Sequence, residues 1–100
     1  MAKKSIIMRN KKRILLVNKY RKKRLNLMGK VYKEMNFDLK LKIHAKIQKL
    51  PRDSSKIRLR NRCWKTGRSR GYYRDFSVSR HVLREMAQKC LLPGVTKSSW

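Results

Sequence analysis

Apolar residues in the first third of the chain return at helical intervals. Ile7, Ile14, Val17, Tyr20 and Leu27 mark one face, Leu15 and Leu16 widen it, and basic residues cover the other faces. Residues 3–35 hold no proline and a single glycine, Gly29, so the pattern predicts one or two helices, bent or broken near Gly29. Asn36-Phe37-Asp38 reads as the start of a second helix, with Asp38 as N-cap. Leu39, Ile43, Ile47 and Leu50 keep one face of it, and Pro51 ends it because proline disfavours helical geometry in the residue before it. From Pro51 to Phe76 the period is lost, and turn residues with Gly67 and Gly71 predict extended chain with tight turns. A last helix is expected over residues 79–90. Ser79 is its N-cap, Val82, Leu83, Met86, Ala87 and Cys90 form its apolar stripe, and Pro93-Gly94 lies beyond it.

Charge changes this picture. Among 100 residues, 30 are Lys or Arg and 5 are Asp or Glu, a formal charge of +25. Such density opposes a compact free chain through self-repulsion. Leu, Ile, Val and Phe nevertheless number 24. That lies above the roughly 20% at which disorder is the default. The two facts together predict a chain that completes its folding on a polyanion. A membrane surface is the other common polyanion, but no segment is long and apolar enough to span a bilayer, the longest aliphatic run, Ile14–Val17, being four residues. No secretory signal follows the basic start Ala2-Lys3-Lys4, so synthesis in the compartment of use is expected. Cys63 and Cys90 are expected as reduced thiols.

Arg58–Arg74 is the most telling segment. It holds seven cations and no acid in seventeen residues, with Trp64, Tyr72 and Tyr73 among them. Unpaired cations cannot be buried in a core. Arginine forks grip phosphate and aromatic faces stack on bases, which points to nucleic acid. Trp64 reads equally as a stacking platform or as packing against the last helix. Tyr72 and Tyr73 face opposite ways if extended. Lysine dominates the first half, where Lys3, Lys4, Arg9, Lys11, Lys12 and Arg13 read as a looser electrostatic glove. The five acids form no paired-carboxylate motif and no phosphate-cradling loop is present, so catalysis finds no support. A DNA-binding regulator or histone-like compactor is the alternative, although no reading helix or intact zinc module is visible.

The second half resembles the universal S-fourteen family of small-subunit ribosomal proteins. The pieces that carry the resemblance, in family order, are Leu-Pro-Arg-Asp-Ser-Ser (50–55), Arg-Asn-Arg-Cys (60–63), Thr-Gly-Arg-Ser-Arg-Gly (66–71), Tyr-Arg-Asp-Phe (73–76), Ser-Arg (79–80), Arg-Glu (84–85) and Leu-Pro-Gly-Val-Thr-Lys-Ser-Ser-Trp (92–100). Some members of that family carry a zinc ribbon with spacing C-x2-C-x12-C-x2-C. Laid on this chain, the ligand positions are Cys63, Thr66, Ser79 and Val82, so three of the four sulfurs are absent. His81 stands beside a vacant ligand position, but a lone histidine flanked by arginines reads as touching RNA or solvent. The resemblance therefore implies the zinc-free branch, with no metal and no other cofactor. Two positions depart from the family pattern: Ser69 stands where proline is usual, and Ser77 where glycine is usual.

The fold expected is mainly α with irregular extended segments. Basic N-terminal helices come first, then a degenerate, metal-free zinc-ribbon-like module with a C-terminal helix. Its divisions are a basic helical arm over 1–50, an extended linker over 51–62 and the ribbon-like module over 63–100. The resemblance implies a structural constituent of the small subunit, bound to ribosomal RNA of the head (the 3′ major domain) and beside head proteins of the S-three, S-ten and S-nineteen families. It implies RNA contacts at Arg52, Arg58, Arg60, Asn61, Arg62 and Lys65. It extends them to Arg68, Arg70, Arg74, Arg80 and Arg84, and to Lys97, Ser98, Ser99 and Trp100 at the end. No membrane and no small-molecule substrate are expected. Residues 43–50 and 79–100 look most like plastid-encoded members, and the lysine and isoleucine load suits an AT-rich organellar genome. A chloroplast ribosome is the expected location, with a mitochondrion or a bacterial cytoplasm as alternatives.

Overall fold

The computed structural model describes residues 1–99. Helix α1 spans Lys4–Lys33 and α2 spans Phe37–Gln48. Two 3-10 turns follow at Arg52–Ser54 and Lys56–Arg58. Strands β1 (Tyr72–Tyr73) and β2 (Val78–Ser79) pair antiparallel, Tyr72 opposite Ser79 and Tyr73 opposite Val78, and α3 covers Arg80–Gln88. The chain forms two compact units. One is Met8–Leu59, and the other joins Met1–Ile7 to the chain from Arg60 onward. No helix among the described residues is long and apolar enough to cross a membrane.

In the Met8–Leu59 unit, α1 runs unbroken through Gly29. The expected break there does not occur. One glycine costs a helix about 1 kcal/mol, too little to interrupt 30 residues rich in Leu, Lys, Arg and Met. The α2 N-cap is Asn36 rather than Asp38. Asn36 has extended backbone, and its Oδ1 accepts the Asp38 N–H at 3.0 Å. Asp38 lies in the first turn, where its charge opposes the positive end of the helix dipole. Val17, Leu50 and Ser54 are buried, which makes a thin core.

Residues 51–59 are not the extended linker that their turn composition predicts; they are wound into the 3-10 turns and held to α1. Arg24 Nε donates to Ser54 Oγ at 2.9 Å, and Arg24 Nη2 donates to the Pro51 carbonyl at 3.3 Å. Asp53 pairs with Arg58 Nη1 at 2.8 Å and Arg13 Nε at 3.4 Å. Local turn chemistry does not announce these ties, because each partner on α1 lies far away in sequence.

The second unit has its own small core. Cys63, Val78 and Val82 are buried together, and Leu83 and Met86 pack against them. Gly67 holds a left-handed backbone at φ 73, and a Cβ there would lie 2.6 Å from Ile7 Cδ1. The chain start is laid against this loop, the Ala2 N–H donating to the Thr66 carbonyl at 3.1 Å. Ser77 adopts φ 55, the left-handed geometry that glycine favours. Helix α3 stops at Gln88, two residues before the expected end. Cys90 leaves the apolar stripe, because its backbone turns left-handed to close the helix and its side chain is exposed.

Candidate nucleic-acid interface

The arginine-rich loop takes its shape from backbone hydrogen bonds around Cys63. The Cys63 N–H donates to the Arg68 carbonyl at 2.9 Å, and the Gly67 N–H donates to the Cys63 carbonyl at 2.8 Å. Arg62 Nη1 donates to the Gly67 carbonyl at 3.0 Å. Further along, the Trp64 N–H donates to the Ser77 carbonyl and the Arg80 N–H to the Gly71 carbonyl, at 3.3 and 2.7 Å. The loop is thus tied to the hairpin and to the start of α3.

The Cys63 thiol sits at the centre of this arrangement. Burial pushes its pKa up, but hydrogen bonds from the Thr66 side chain and from the Thr66, Ser79 and Lys65 backbones outweigh that and lower it from 9.0 to about 7. These donors, with Val82 in the same core, occupy or flank the ligand positions of a zinc ribbon. Zinc does not fit the set: two hydroxyls and a valine stand where three further strong donors are needed. Among the described residues no three of His, Cys, Asp and Glu converge. Hydrogen bonds to one sulfur and the packing of Val82 hold the shape instead.

The residues expected at an interface fall into two groups. Arg52, Asn61, Arg68, Arg70, Arg74, Arg80, Arg84, Lys97, Ser98 and Ser99 are exposed, and so are Lys3, Lys4, Arg9, Lys11, Lys12 and Arg60. Arg58 and the half-buried Arg13 meet Asp53. The half-buried Arg62 is anchored to its own loop. Lys65 faces Glu85 at 3.4 Å, and Glu85 also meets Lys89 at 2.9 Å. These two lysines hold the Glu85 carboxyl below its ordinary range, first through the Lys89 hydrogen bond. Trp100 lies outside the described residues. Trp64 is 68% exposed, which decides against packing on α3, and Tyr73 is 47% exposed while Tyr72 is half-buried.

Two hollows are not legible in the sequence. One, in the unit from Arg60 onward, has a volume of about 450 Å³ and brings Arg62, Arg68, Arg70 and His81 together. The other, of about 320 Å³, lies in the Met8–Leu59 unit between Arg21, Arg24 and Lys56. For the first, the one signal in the sequence is the place of His81 between Arg80 and Arg84.

Known proteins bear on what such a surface is for. The family described as Ribosomal protein S14p/S29e matches residues 46–99. The chain is 67% identical over its full length, and the relative's, to "Small ribosomal subunit protein uS14c" of Phaeodactylum tricornutum. It is 68% identical, again over both full lengths, to the protein of that name from Trieres chinensis. "Small ribosomal subunit protein uS14" of Acaryochloris marina is 58% identical, also over the whole of both chains.

Proposed function

This chain belongs to the ribosomal protein S14p/S29e family, and from that membership we propose that its exposed arginines bind and bridge the RNA of the small-subunit head. It is a structural, non-enzymatic constituent of the small ribosomal subunit, of the plastid type, and its place is the plastid ribosome. The proposed contact is with head RNA. The observation that carries it is the hydrogen-bonded loop over residues 60–71, whose side chains at Arg68 and Arg70 are exposed with no acid in the segment. Cations on such a loop displace condensed counterions when phosphates approach. Arginine forks then set the geometry through paired hydrogen bonds. Trp64 and Tyr73 add exposed faces for stacking. The long basic face of α1, about 45 Å at 1.5 Å per residue, neutralises a second stretch of backbone. Bridging in this sense lets RNA segments converge that would otherwise repel. The neighbours proposed are head proteins of the S-three, S-ten and S-nineteen families.

Binding to small-subunit RNA across a salt series tests this. Affinity is expected to fall steeply with salt, and Arg68→Gln or Arg70→Gln to flatten the log–log slope by about 0.7–0.9 for each phosphate no longer neutralised. Affinity unchanged between low and moderate salt, or a footprint on duplex DNA in place of head RNA, overturns it.

A further inference from the structure

The larger hollow asks for more than a phosphate. Its wall includes Arg62, Thr66, Arg68, Arg70, Ser79 and His81, and no Asp or Glu among the described residues lines it. Two residues of that wall carry a buried polar atom with no partner among the described residues: Ser79 Oγ, on a residue 1% exposed, and Arg62 Nε. A buried donor left unsatisfied is unfavourable and points to a group supplied from outside. Ser79 stands at the N-cap of α3, yet its side chain makes no capping bond, so the helix does not account for it.

Size narrows the choice. The hollow measures about 450 Å³. Pockets for whole small ligands start at about 300 Å³. The chemistry of the wall narrows it further. Three guanidinium groups suit a phosphodiester, an imidazole or guanidinium plane suits a base face, and a hydroxyl suits a sugar or base edge. The hollow is also set before any ligand arrives, because the hydrogen bonds of Cys63, Gly67 and Ala2 fix its rim.

We propose that this hollow receives one unstacked nucleotide of an RNA chain. Arg68 and Arg70 hold its phosphate, the His81 ring lies against its base, and Ser79 Oγ and Arg62 Nε, covered in the free chain, gain partners from the ribose or the base edge once their side chains turn toward the hollow. The inference rests on the reading that the chain binds small-subunit RNA, and it adds where one nucleotide leaves the stack.

The test uses purified small subunits carrying the wild-type protein, His81→Ala or Ser79→Ala, probed by 2′-hydroxyl acylation in nucleotide-free buffer. His81 is exposed and the Ser79 hydroxyl has no partner among the described residues, so neither change removes a hydrogen bond seen there. One ribosomal RNA nucleotide, unreactive in wild-type particles, is expected to become several-fold more reactive in both variants, while the rest of the footprint stays. Ultraviolet crosslinking of wild-type particles is expected to join that nucleotide to the peptide holding His81. Identical acylation profiles with the variants retained in the particle overturn the nucleotide site and leave the RNA-binding reading intact. A crosslink at His81 only to added free nucleoside monophosphate assigns the hollow to a diffusible ligand and also overturns it. Absence of the wild-type protein's footprint from the RNA sinks both.

Discussion

Ser77 and Cys90 both hold a left-handed backbone, at φ 55, where a Cβ crowds the neighbouring carbonyl. Cys90 does so to close α3: its N–H donates to the Ala87 carbonyl at 3.1 Å, and the Leu91 N–H donates to that of Met86 at 3.0 Å. Ser77→Gly and Cys90→Gly are each expected to stabilise the fold by about 0.5–1 kcal/mol in urea unfolding, the relief of strain exceeding the extra freedom given to the unfolded chain. Cys63 makes a different prediction. Its folded pKa, about 7, lies below the ordinary thiol value of 9.0, so the unfolded chain binds more protons between those values. The contribution of the thiolate is therefore full above pH 9 and lost as pH falls through 7. Urea midpoints at about pH 6.5 and about pH 8.5 are expected to differ by more in the wild type than in Cys63→Ser, which lacks the titration.

At the scale of elements, helices are the easiest part to foresee, because they depend on residues three and four apart. The stripe from Leu39 to Ile47 is visible in the sequence, and so are Val82, Leu83 and Met86. Their ends are less so, since Asn36 and Asp38 both qualify as caps and the backbone at Asn36 decides between them. Asn36→Ala is expected to cost about 1 kcal/mol and to lower helicity by circular dichroism. Gly29 has open space where a Cβ would project, so Gly29→Ala is expected to strengthen α1 by about 1 kcal/mol, read as slower amide exchange around it. The long-range ties are what the sequence hides. Nothing near Arg24 in sequence says that it will hold Ser54 and Pro51. The arginine loop itself is legible because its cations outnumber the acids that could pair with them, but the hollow beside it is not, because its wall draws on residues 62–70 and 79–81 and on Met1 and Ala2.

For the whole molecule, charge outweighs the small cores. A formal charge of +25 surrounds two units whose buried side chains are few. Polyanion binding is expected to raise the apparent stability of the chain, since a ligand that prefers the folded state shifts the equilibrium toward it. Thermal melts with and without a small-subunit head RNA fragment check this, and the gain is expected to shrink as salt is added. Surface pairs such as Glu85–Lys89 contribute little by comparison, because exposed ion pairs are screened.

The bond from Ala2 to Thr66, and the Ile7 side chain beside Gly67, join two stretches of one unit that are separated in sequence by the whole of the other. These contacts can form only after every residue between them has been made, and the loop they close carries an entropic cost that grows only slowly with its length. Bulk fused at Met1 would sit at the mouth of the hollow that Met1 and Ala2 border.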